Sequence, residues 1–212
     1  MGGLLVKGLG AAVAFLVIGN LAILAASYWA RETTPATRLT TIAGVDNLRS
    51  VDDHLWRGAA PTTAGYRNLA QAGVTTVVDL RAEDGLEADT RTVEALGMKL
   101  VRIPMRDGQV PSAGEVEAFL AATQESDGRV FVHCGAGVGR TGAMVGAYQV
   151  HQGELSGAAA LRRNLAVGPP SLEQIAFVAK MGDGLPEKPG TVLTAVSRVL
   201  DAPRRLWSRY GG

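Results

Sequence analysis

Residues 130–142 read V-F-V-H-C-G-A-G-V-G-R-T-G. The segment begins with an apolar, largely β-branched run that predicts a short buried strand. An apolar helical run follows at residues 143–150, and a glycine-rich loop lies between the two. Glycine lets the backbone approach a ligand closely, and the amino end of a helix attracts anions. The segment therefore predicts an anion-binding loop between a strand and a helix.

The only cysteine in the chain, Cys134, stands where that strand ends. A cysteine at a helix amino end and near cations has its pKa lowered from about 8.5 to roughly 3.5–7.5. We therefore expect Cys134 to be a thiolate nucleophile. Arg140 would present a planar fork of donors to two phosphate oxygens, while the loop amides hold the others. The alternative is a small buried cysteine without a chemical role.

The run His133-Cys134-(five residues)-Arg140-Thr141-Gly142 resembles the active-site signature of the protein tyrosine and dual-specificity phosphatases. The resemblance implies an α/β fold with a mostly parallel central sheet flanked by helices, and hydrolysis of phosphomonoesters through a phosphocysteine. Cys134 and Arg140 would be catalytic, His133 would orient the loop, and the Thr141 hydroxyl would help the sulfur to leave. The phosphate-binding residues would be Gly135, Ala136, Gly137, Val138, Gly139 and Arg140.

The leaving group needs a proton, so this chemistry requires a general acid on a nearby loop. Asp107 lies in such a loop, residues 104–111, between a predicted strand and a predicted helix. Related phosphatases carry their acid in a loop with an aspartate a few residues before a proline, and Asp107 is the expected acid. Glu83 and Asp84 in a charged turn are the alternatives. A simple ion pair with Arg106 would make Asp107 an ordinary loop residue.

The rest of the domain alternates strands and helices, which indicates a mostly parallel sheet with helices on its faces. Strands are predicted at residues 74–80 and 100–103, the second ended by Pro104. Helices are predicted at residues 86–96 and 153–165. The pattern S-A-G-E at 112–115 predicts a helix start with a capping box, and a threonine at position 62 or 63 is expected to cap an earlier helix.

Two further runs extend the resemblance. L-W-R-G-A-A-P at 55–61 and G-V-T-T-V-V-D-L-R at 73–81 resemble a bacterial, plant and fungal branch of small dual-specificity-like phosphatases. Arg57 and Arg81 in these runs are interpreted as ion-pair residues of the structure, with substrate contact as the alternative. The resemblance covers residues 46–181.

Residues 9–29 are almost wholly apolar, interrupted only by Asn20 and Ser27. Their length is about the ~20 residues that a membrane-spanning helix needs, so residues 1–30 are predicted to form a single transmembrane anchor. A cleaved signal peptide that starts at Lys7 and a buried core helix are the alternatives. The flanking charges are almost balanced, and the short basic start favours a cytoplasmic amino terminus with the domain on the other side.

The remaining boundaries follow from composition. Residues 31–45 are predicted to be a linker that lets the domain stand off the bilayer, and residues 46–185 are the predicted phosphatase domain. Residues 186–212 form a basic tail. Its residues 191–210 are predicted either as an amphipathic helix on an anionic membrane surface or, because Pro203 interrupts the pattern, as a solvated segment.

Composition narrows the partners. The net charge of +1 argues against nucleic acid, and a single cysteine excludes an internal disulfide. The three histidines are scattered without a zinc-type spacing, so neither a metal nor another cofactor is predicted. The sequence does not indicate an oligomeric state.

The predicted function is that of a membrane-anchored, cysteine-dependent phosphatase. Its substrates would be phosphotyrosine or phosphoserine and phosphothreonine in proteins, or small phosphomonoesters. One alternative is a phosphoinositide or phospholipid-headgroup phosphatase with the same mechanism, although the loop residues between Cys134 and Arg140 carry no charge for extra phosphates. Another alternative is a phosphate-binding module with weak turnover.

Overall fold

Five strands form one sheet, whose order is β1-β2-β5-β3-β4. The computed structural model describes residues 2–34, 41–83, 86–182 and 188–210, with the backbone alone at 2–9 and 204–210. The strands are β1 Arg49–Ser50, β2 Leu55–Gly58, β3 Val74–Arg81, β4 Lys99–Met105 and β5 Arg129–His133. The helices within these ranges are α1 Gly2–Thr33, α2 Thr63–Gln71, α3 Glu87–Ala95, α4 Ala113–Gln124, α5 Gly139–His151, α6 Gly157–Val167, α7 Leu172–Ala179 and α8 Thr191–Tyr210.

All strand pairs are parallel except β1 with β2. The strand β5 lies in the middle, where Phe131 is paired with Trp56 of β2 on one side and Val77 of β3 on the other. A central parallel strand is covered on both faces and therefore requires a continuous apolar run, which the segment V-F-V provides. The predicted fold class, a mostly parallel α/β sheet flanked by helices, is confirmed.

The alternating side chains of β5 serve two apolar cores. Phe131 packs with Tyr66 and Leu69 of α2 and Val93 of α3 on one face of the sheet. Val130, Val132 and the following Cys134 pack on the other face, against the helices α4 to α7. The end of β5 is thereby fixed from both sides, and the loop that follows starts from a rigid position.

Most of the predicted strand and helix limits agree with the structure, but those of β4 and α6 do not. Strand β4 continues through Pro104 to Met105, because β4 is an edge strand and the N–H that proline lacks has no partner strand on its open side. Helix α6 starts at Gly157 with Ser156 as its cap, later than predicted. Gly153 has a φ of +72° and belongs to the turn after α5.

Helix α1 extends to Thr33, beyond the predicted end of the anchor. Its last turns pack directly on the domain: Ser27 Oγ donates to the Leu165 carbonyl at 2.7 Å, and Arg162 Nη2 donates to the Thr33 carbonyl at 2.7 Å. The predicted linker therefore does not hold the domain away from this helix. Residues 35–40 of that linker lie outside the described residues.

The apolar part of α1 remains largely uncovered. Of the described residues, only the helical stretch Gly10–Thr33 is long and apolar enough to be a candidate membrane span, with a mean hydropathy of 2.1 and 6% of its window buried. Length and composition alone carry this finding, and a signal sequence or a core helix would meet the same criteria. The side chains of Phe15, Ile18, Leu21 and Leu24 are among those exposed.

Helix α8 is continuous from Thr191 to Tyr210, with Pro203 inside it. The prediction of a solvated segment interrupted at Pro203 was wrong, because the helix runs through Pro203. Contacts with α7 and α1 hold α8 at residues 197 and 200. Ser197 Oγ accepts a hydrogen bond from the Glu173 amide at 3.0 Å. The Leu200 side chain lies against Gly19, and Asn20 Nδ2 donates to the Leu200 carbonyl at 3.2 Å. The part of α8 around Ser197 and Leu200 is therefore packed on the folded domain.

Candidate active site

The glycine-rich loop lies between the end of β5 and the start of α5, as the sequence predicts. Cys134 is the first residue after β5, is buried with 3% of its surface exposed, and interacts electrostatically with Arg140. The loop ends at Gly139 and Arg140, the first two residues of α5. A helix of 13 residues thus directs its amino end toward the space above the sulfur.

The four consecutive backbone carbonyls of residues 135–138 accept hydrogen bonds from groups outside the loop. The amide of Ala60 donates to the Gly135 carbonyl at 2.9 Å, and Asn47 Nδ2 donates to the Ala136 carbonyl at 3.0 Å. Arg57 Nη2 donates to the next two carbonyls, at 2.7 and 3.3 Å. In a trans peptide the C=O and the following N–H point in opposite directions. The amides of residues 136–139 therefore face away from these partners, which is the arrangement an anion cradle requires.

Gly137 is the one loop position whose backbone requires glycine. Its φ is +72°, in the left-handed region. A Cβ at this position would also collide with the backbone carbonyl group of Gly58. The loop therefore packs directly on the end of β2, and this contact brings it within reach of Arg57.

Arg140 lies at the opening of the cradle with its guanidinium 4% exposed. Its Nη1 donates to Glu83 Oε2 at 2.9 Å and to the Met105 carbonyl at 3.0 Å. Its Nε lies 3.6 Å from Asp107 Oδ1. Burial by itself would lower the pKa of Arg140, but the hydrogen bond to Glu83 and the charges of Cys134 and Asp107 outweigh burial and raise it. Arg140 is a permanent cation in contact with two carboxylates.

The structure separates the candidate acids. Asp107 lies beside Arg140 with 36% of its side chain exposed, on the loop that the sequence predicts. Glu83 is bound to Arg140, and although burial raises its pKa, the hydrogen bond from Arg140 outweighs burial and lowers it. A carboxyl group with a lowered pKa is ionised at neutral pH and is a poor proton donor. Asp84 lies outside the described residues.

The loop of Asp107 is held by α7 and α8. Ser171 Oγ donates to the Gly108 carbonyl at 2.7 Å, and Gln174 Nε2 donates to the Gln109 carbonyl at 3.0 Å. The carboxylate of Asp201 in α8 lies against Gly108. Sequence reasoning missed these supports. The only readable signal was the capping-box pattern of Ser171 and Gln174 at the start of α7.

His133 is fully buried beneath the loop. Its Nδ1 faces the Cys134 carbonyl at 3.3 Å and Asp79 Oδ1 at 4.0 Å, both acceptors, so this nitrogen carries the proton. Its Nε2 lies 3.4 Å from the Tyr66 hydroxyl, which is the donor in that contact. Burial lowers the pKa of His133 to about 4, although Asp79 opposes the shift. A neutral histidine at this position agrees with the predicted role in orienting the loop.

Thr141 lies in the first turn of α5 with no exposed surface. Its hydroxyl oxygen is one of the buried side-chain atoms without a hydrogen-bond partner among the described residues. Buried polar atoms are almost always paired, so an unpaired hydroxyl at the base of an anion cradle is a donor that remains available to the thiolate or to a bound phosphoryl group.

The two arginines that the sequence assigns to ion pairs differ. Arg81 agrees with that interpretation, because its Nη2 lies 2.9 Å from Asp79 Oδ2 and 2.7 Å from Asp89 Oδ2. Arg57 does not, because no carboxylate of the described residues forms an ion pair with it. Its partners are the two loop carbonyls and Asn164 Oδ1 at 3.1 Å.

Known proteins share this architecture. Residues 36–180 match the family described as "DSP-PTPase phosphatase fused to NAD+ Kinase". Over 66 residues, 30% of this chain, the sequence is 39% identical to the tyrosine-protein phosphatase CDC14 homolog of Schizosaccharomyces pombe. Over 98 residues, 42% of this chain, it is 38% identical to the chloroplastic NAD kinase 2 of Arabidopsis thaliana. These matches span only 12% and 10% of the two relatives.

Solved structures show the same fold. P. aeruginosa TpbA superposes with a TM-score of 0.51 and 25% identity, over 61% of this chain and 78% of TpbA. The core catalytic domain of the PP-IP phosphatase SIW14 from S. cerevisiae superposes with a TM-score of 0.58 and 17% identity, over 79% of this chain and 97% of SIW14. The predicted relationship to the tyrosine and dual-specificity phosphatases is confirmed. Since the family match spans well over half of the 212 residues, the chain belongs to the family of DSP-PTPase phosphatase domains that are fused to NAD+ kinase in other proteins.

Proposed function

We propose that the protein is a cysteine-dependent phosphatase that hydrolyses phosphomonoesters through a phosphocysteine. The observation that carries the proposal is the arrangement around Cys134. The buried thiol lies at the start of a loop whose carbonyls are turned outward, beside a buried Arg140 that contacts Asp107. These three side chains supply a nucleophile, a phosphate clamp and an acid in one cleft.

The first half of the reaction would transfer the phosphoryl group to the enzyme. The Cys134 thiolate attacks phosphorus, a sulfur–phosphorus bond forms, and the bond to the leaving oxygen breaks. Asp107 gives its proton to that oxygen, which leaves as an alcohol or a phenol. Arg140 and the loop amides bind the three non-bridging oxygens, where negative charge must be stabilised in the transition state.

The second half would release phosphate. The Asp107 carboxylate takes a proton from a water molecule, whose oxygen bonds to phosphorus while the sulfur–phosphorus bond breaks. The departing thiolate would accept a hydrogen bond from the Thr141 hydroxyl, which has no other partner among the described residues. Asp107 is then protonated again, and the inorganic phosphate leaves the cradle.

Phosphotyrosine in proteins is the first substrate class to test. The CDC14 homolog of S. pombe, 39% identical over the matched segment, is a tyrosine-protein phosphatase by name. The five loop residues between Cys134 and Arg140 are uncharged, so the loop itself provides no additional cation for a second phosphate group. We therefore propose activity on monophosphorylated substrates, with phosphoserine and phosphothreonine as further members of the class.

The second candidate function is hydrolysis of a phospholipid headgroup by the same mechanism. It is favoured by one observation, the contact of α8 with both the apolar helix and the acid loop. Leu200 lies against Gly19 of α1, and the neighbouring Asp201 lies against Gly108. We propose that α1 anchors the protein in a membrane, and this contact would then place the cleft near lipid headgroups.

The deciding experiment uses the full chain in detergent micelles with three substrates: a phosphotyrosine peptide, a phosphoserine peptide and a lipid phosphomonoester in mixed micelles. Wild type should release phosphate from at least one, and Cys134→Ser from none, while it keeps binding vanadate. Hydrolysis by Cys134→Ser at the wild-type rate would exclude the thiolate route. Vanadate binding without turnover in wild type would indicate a phosphate-binding module instead.

The acid is tested with a matched pair of variants, Asp107→Asn and Glu83→Gln. Loss of the acid should slow alkyl phosphates about 100-fold or more, and activated aryl phosphates much less, because only the poor leaving group needs a proton. Glu83→Gln removes a charge from the same cleft and should slow both substrates equally. A leaving-group dependence in Glu83→Gln that is absent in Asp107→Asn would reverse the assignment.

A further inference from the structure

Arg57 is a buried cation for which the described residues provide no carboxylate partner. It is 4% exposed, and no ion pair to a carboxylate is found for it in the described part of the chain. Its Nη2 has three neutral oxygen acceptors, and its Nε has no hydrogen-bond partner there. Burying a charge without a counter-charge is costly. The fold must therefore gain something from this guanidinium.

The position of Arg57 is behind the cradle. In the sheet, Arg57 of β2 is paired with Val132 of β5, two residues before Cys134. Its Nη2 donates to the carbonyls of Gly137 and Val138, and the amides that follow those carbonyls therefore face the opposite side. One guanidinium thus turns two amides of the loop toward the place where the phosphate would bind.

The other charged groups near the cleft do not neutralise the charge of Arg57. From α5, Arg140 is paired with Glu83 and faces Asp107. From β5, His133 is neutral at neutral pH because burial lowers its pKa to about 4. From β1, Arg49 lies across from Arg57 in the sheet and repels it. Among the described groups, Cys134, two residues after the strand partner of Arg57, would provide the opposing charge when it is ionised.

The effects of neighbouring groups on the pKa of Arg57 agree with this geometry. The pKa of Arg57 is lowered to about 10 as the net result of burial, the largest effect, of Cys134, which raises it, and of Arg49, which lowers it. The guanidinium nevertheless remains protonated at neutral pH. Interaction between two charges is mutual, so a cation stabilised by the thiolate also stabilises the thiolate.

We propose that Arg57 is a positioning residue that acts as the internal counter-ion of the Cys134 thiolate and holds the cradle amides toward the phosphate. The inference rests on the proposed function, because it assumes that Cys134 reacts as a thiolate. It assigns two effects to one side chain. Its positive charge sets the pH at which the sulfur is ionised, and its hydrogen bonds set the shape of the anion site.

The experiment measures the rate of iodoacetamide alkylation against pH in the full chain, where Cys134 is the only thiol. Arg57→Gln removes the charge and should raise the pH midpoint of alkylation by about one unit or more. Arg57→Lys keeps the charge and should keep the midpoint, but it should weaken vanadate binding several-fold because the two carbonyls lose their shared donor. Arg67→Gln, on the exposed face of α2, is the control and should change neither.

Asn164→Asp gives an independent test that leaves Arg57 in place. Asn164 Oδ1 accepts a hydrogen bond from Arg57, so an aspartate of the same shape would neutralise the guanidinium. The alkylation midpoint should rise as in Arg57→Gln, and this variant keeps the test decisive if Arg57→Gln does not fold. A wild-type midpoint in either folded variant would overturn the proposal. A protein with this dependence on Arg57 but no phosphatase activity would overturn only the proposed function.

Discussion

At the level of single residues, His133 illustrates how burial fixes a chemical state. Its ring lies between two acceptors at Nδ1 and the Tyr66 hydroxyl at Nε2, which defines one neutral tautomer. The Nδ1 proton points at the Cys134 carbonyl and so orients the first peptide of the loop. The histidine therefore contributes to the cradle through its geometry and not through its charge.

This burial predicts an acid-sensitive fold. The pKa of His133 falls from 6.5 to about 4 on folding, so between these values the unfolded chain binds more protons. The stabilisation that comes from the neutral, buried His133 is complete above about pH 6.5 and is lost as the pH falls toward 4. The free energy of unfolding should decrease by about 3 kcal/mol over this range. Urea unfolding of wild type at a series of pH values measures this slope.

The matched variants for this prediction are His133→Asn and His151→Asn. His133→Asn should be less stable than wild type at neutral pH, but its unfolding free energy should depend less on pH between about 4 and 6.5. The second, at an exposed position at the end of α5, should keep the wild-type slope. Equal slopes in wild type and His133→Asn would contradict the assignment of the acid sensitivity to His133.

The sequence alone was sufficient to identify Cys134, Arg140 and Asp107 as candidates, because short-range spacing and a loop between two elements define their chemistry. It was insufficient for Arg57, which sequence reasoning assigned to an ion pair. Whether a buried cation has a partner depends on long-range packing. Here it depends on the pairing of β2 with β5 and on the position of Asn164 in α6, which no local pattern contains.

At the level of elements, the acid loop depends on the start of α7. Ser171 has two roles, because its hydroxyl oxygen accepts from the Gln174 amide as the helix cap and its hydroxyl proton is donated to the Gly108 carbonyl. One side chain therefore joins helix capping to the position of the loop that carries Asp107. The capping boxes at Ser112 and Ser171 are both present, and the first of them was predicted from the sequence.

Ser171→Ala separates these roles when it is compared with Ser156→Ala, which removes only the cap of α6. Each variant should lose about 1 kcal/mol of unfolding free energy from the missing cap. Only Ser171→Ala should also lower kcat for alkyl phosphates, by several-fold, because the acid loop loses its anchor. Thermal unfolding and steady-state kinetics measure the two effects. Equal kinetics in the two variants would show that the loop does not need this hydrogen bond.

Element boundaries were predictable where local chemistry decides them. Strand β3 and helix α3 occur within two residues of their predicted limits, because a β-branched run and a glycine after the helix define them. Pro104 was misread as the end of a strand, and Pro203 was misread as an interruption of a possible helix. An edge strand tolerates the first proline, so that error has a tertiary cause.

At the level of the whole molecule, α1 belongs partly to the domain. Besides the bonds of Ser27 and Asn20, the Arg31 guanidinium donates to the carbonyls of Ala166 and Val167 at 3.4 and 3.5 Å, and Arg162 lies 5.0 Å above the Trp29 ring. Every one of these contacts lies after Gly19 in the sequence. Among the side chains that the structure describes, those at residues 10–18 form no hydrogen bond to the domain, whereas the later part of the helix is packed on α6 and α8.

Two truncations test this division. Deletion of residues 2–18 should leave the thermal unfolding temperature of the domain unchanged, because no hydrogen bond described between α1 and the rest of the domain is lost. Deletion of residues 2–33 removes several hydrogen bonds and uncovers Leu200, and it should lower the unfolding temperature by about 5 °C or more. Circular dichroism during heating measures both. An equal effect of the two deletions would mean that the packing of α1 contributes nothing to stability.

The length of residues 2–18 of α1 limits how deeply this helix could enter a bilayer. Residues 2–18 make a helix of about 25 Å, slightly shorter than the roughly 30 Å of hydrocarbon in a bilayer. If these residues lie in the hydrocarbon core, Gly19 lies at the membrane surface. Deeper insertion of the helix would bring charged residues of the domain into the hydrocarbon core. Leu200 contacts Gly19 and Asp201 contacts Gly108, so the loop that carries Asp107 would lie close to the membrane surface. The contact of α8 with α1 would then determine the distance between the active site and the lipid.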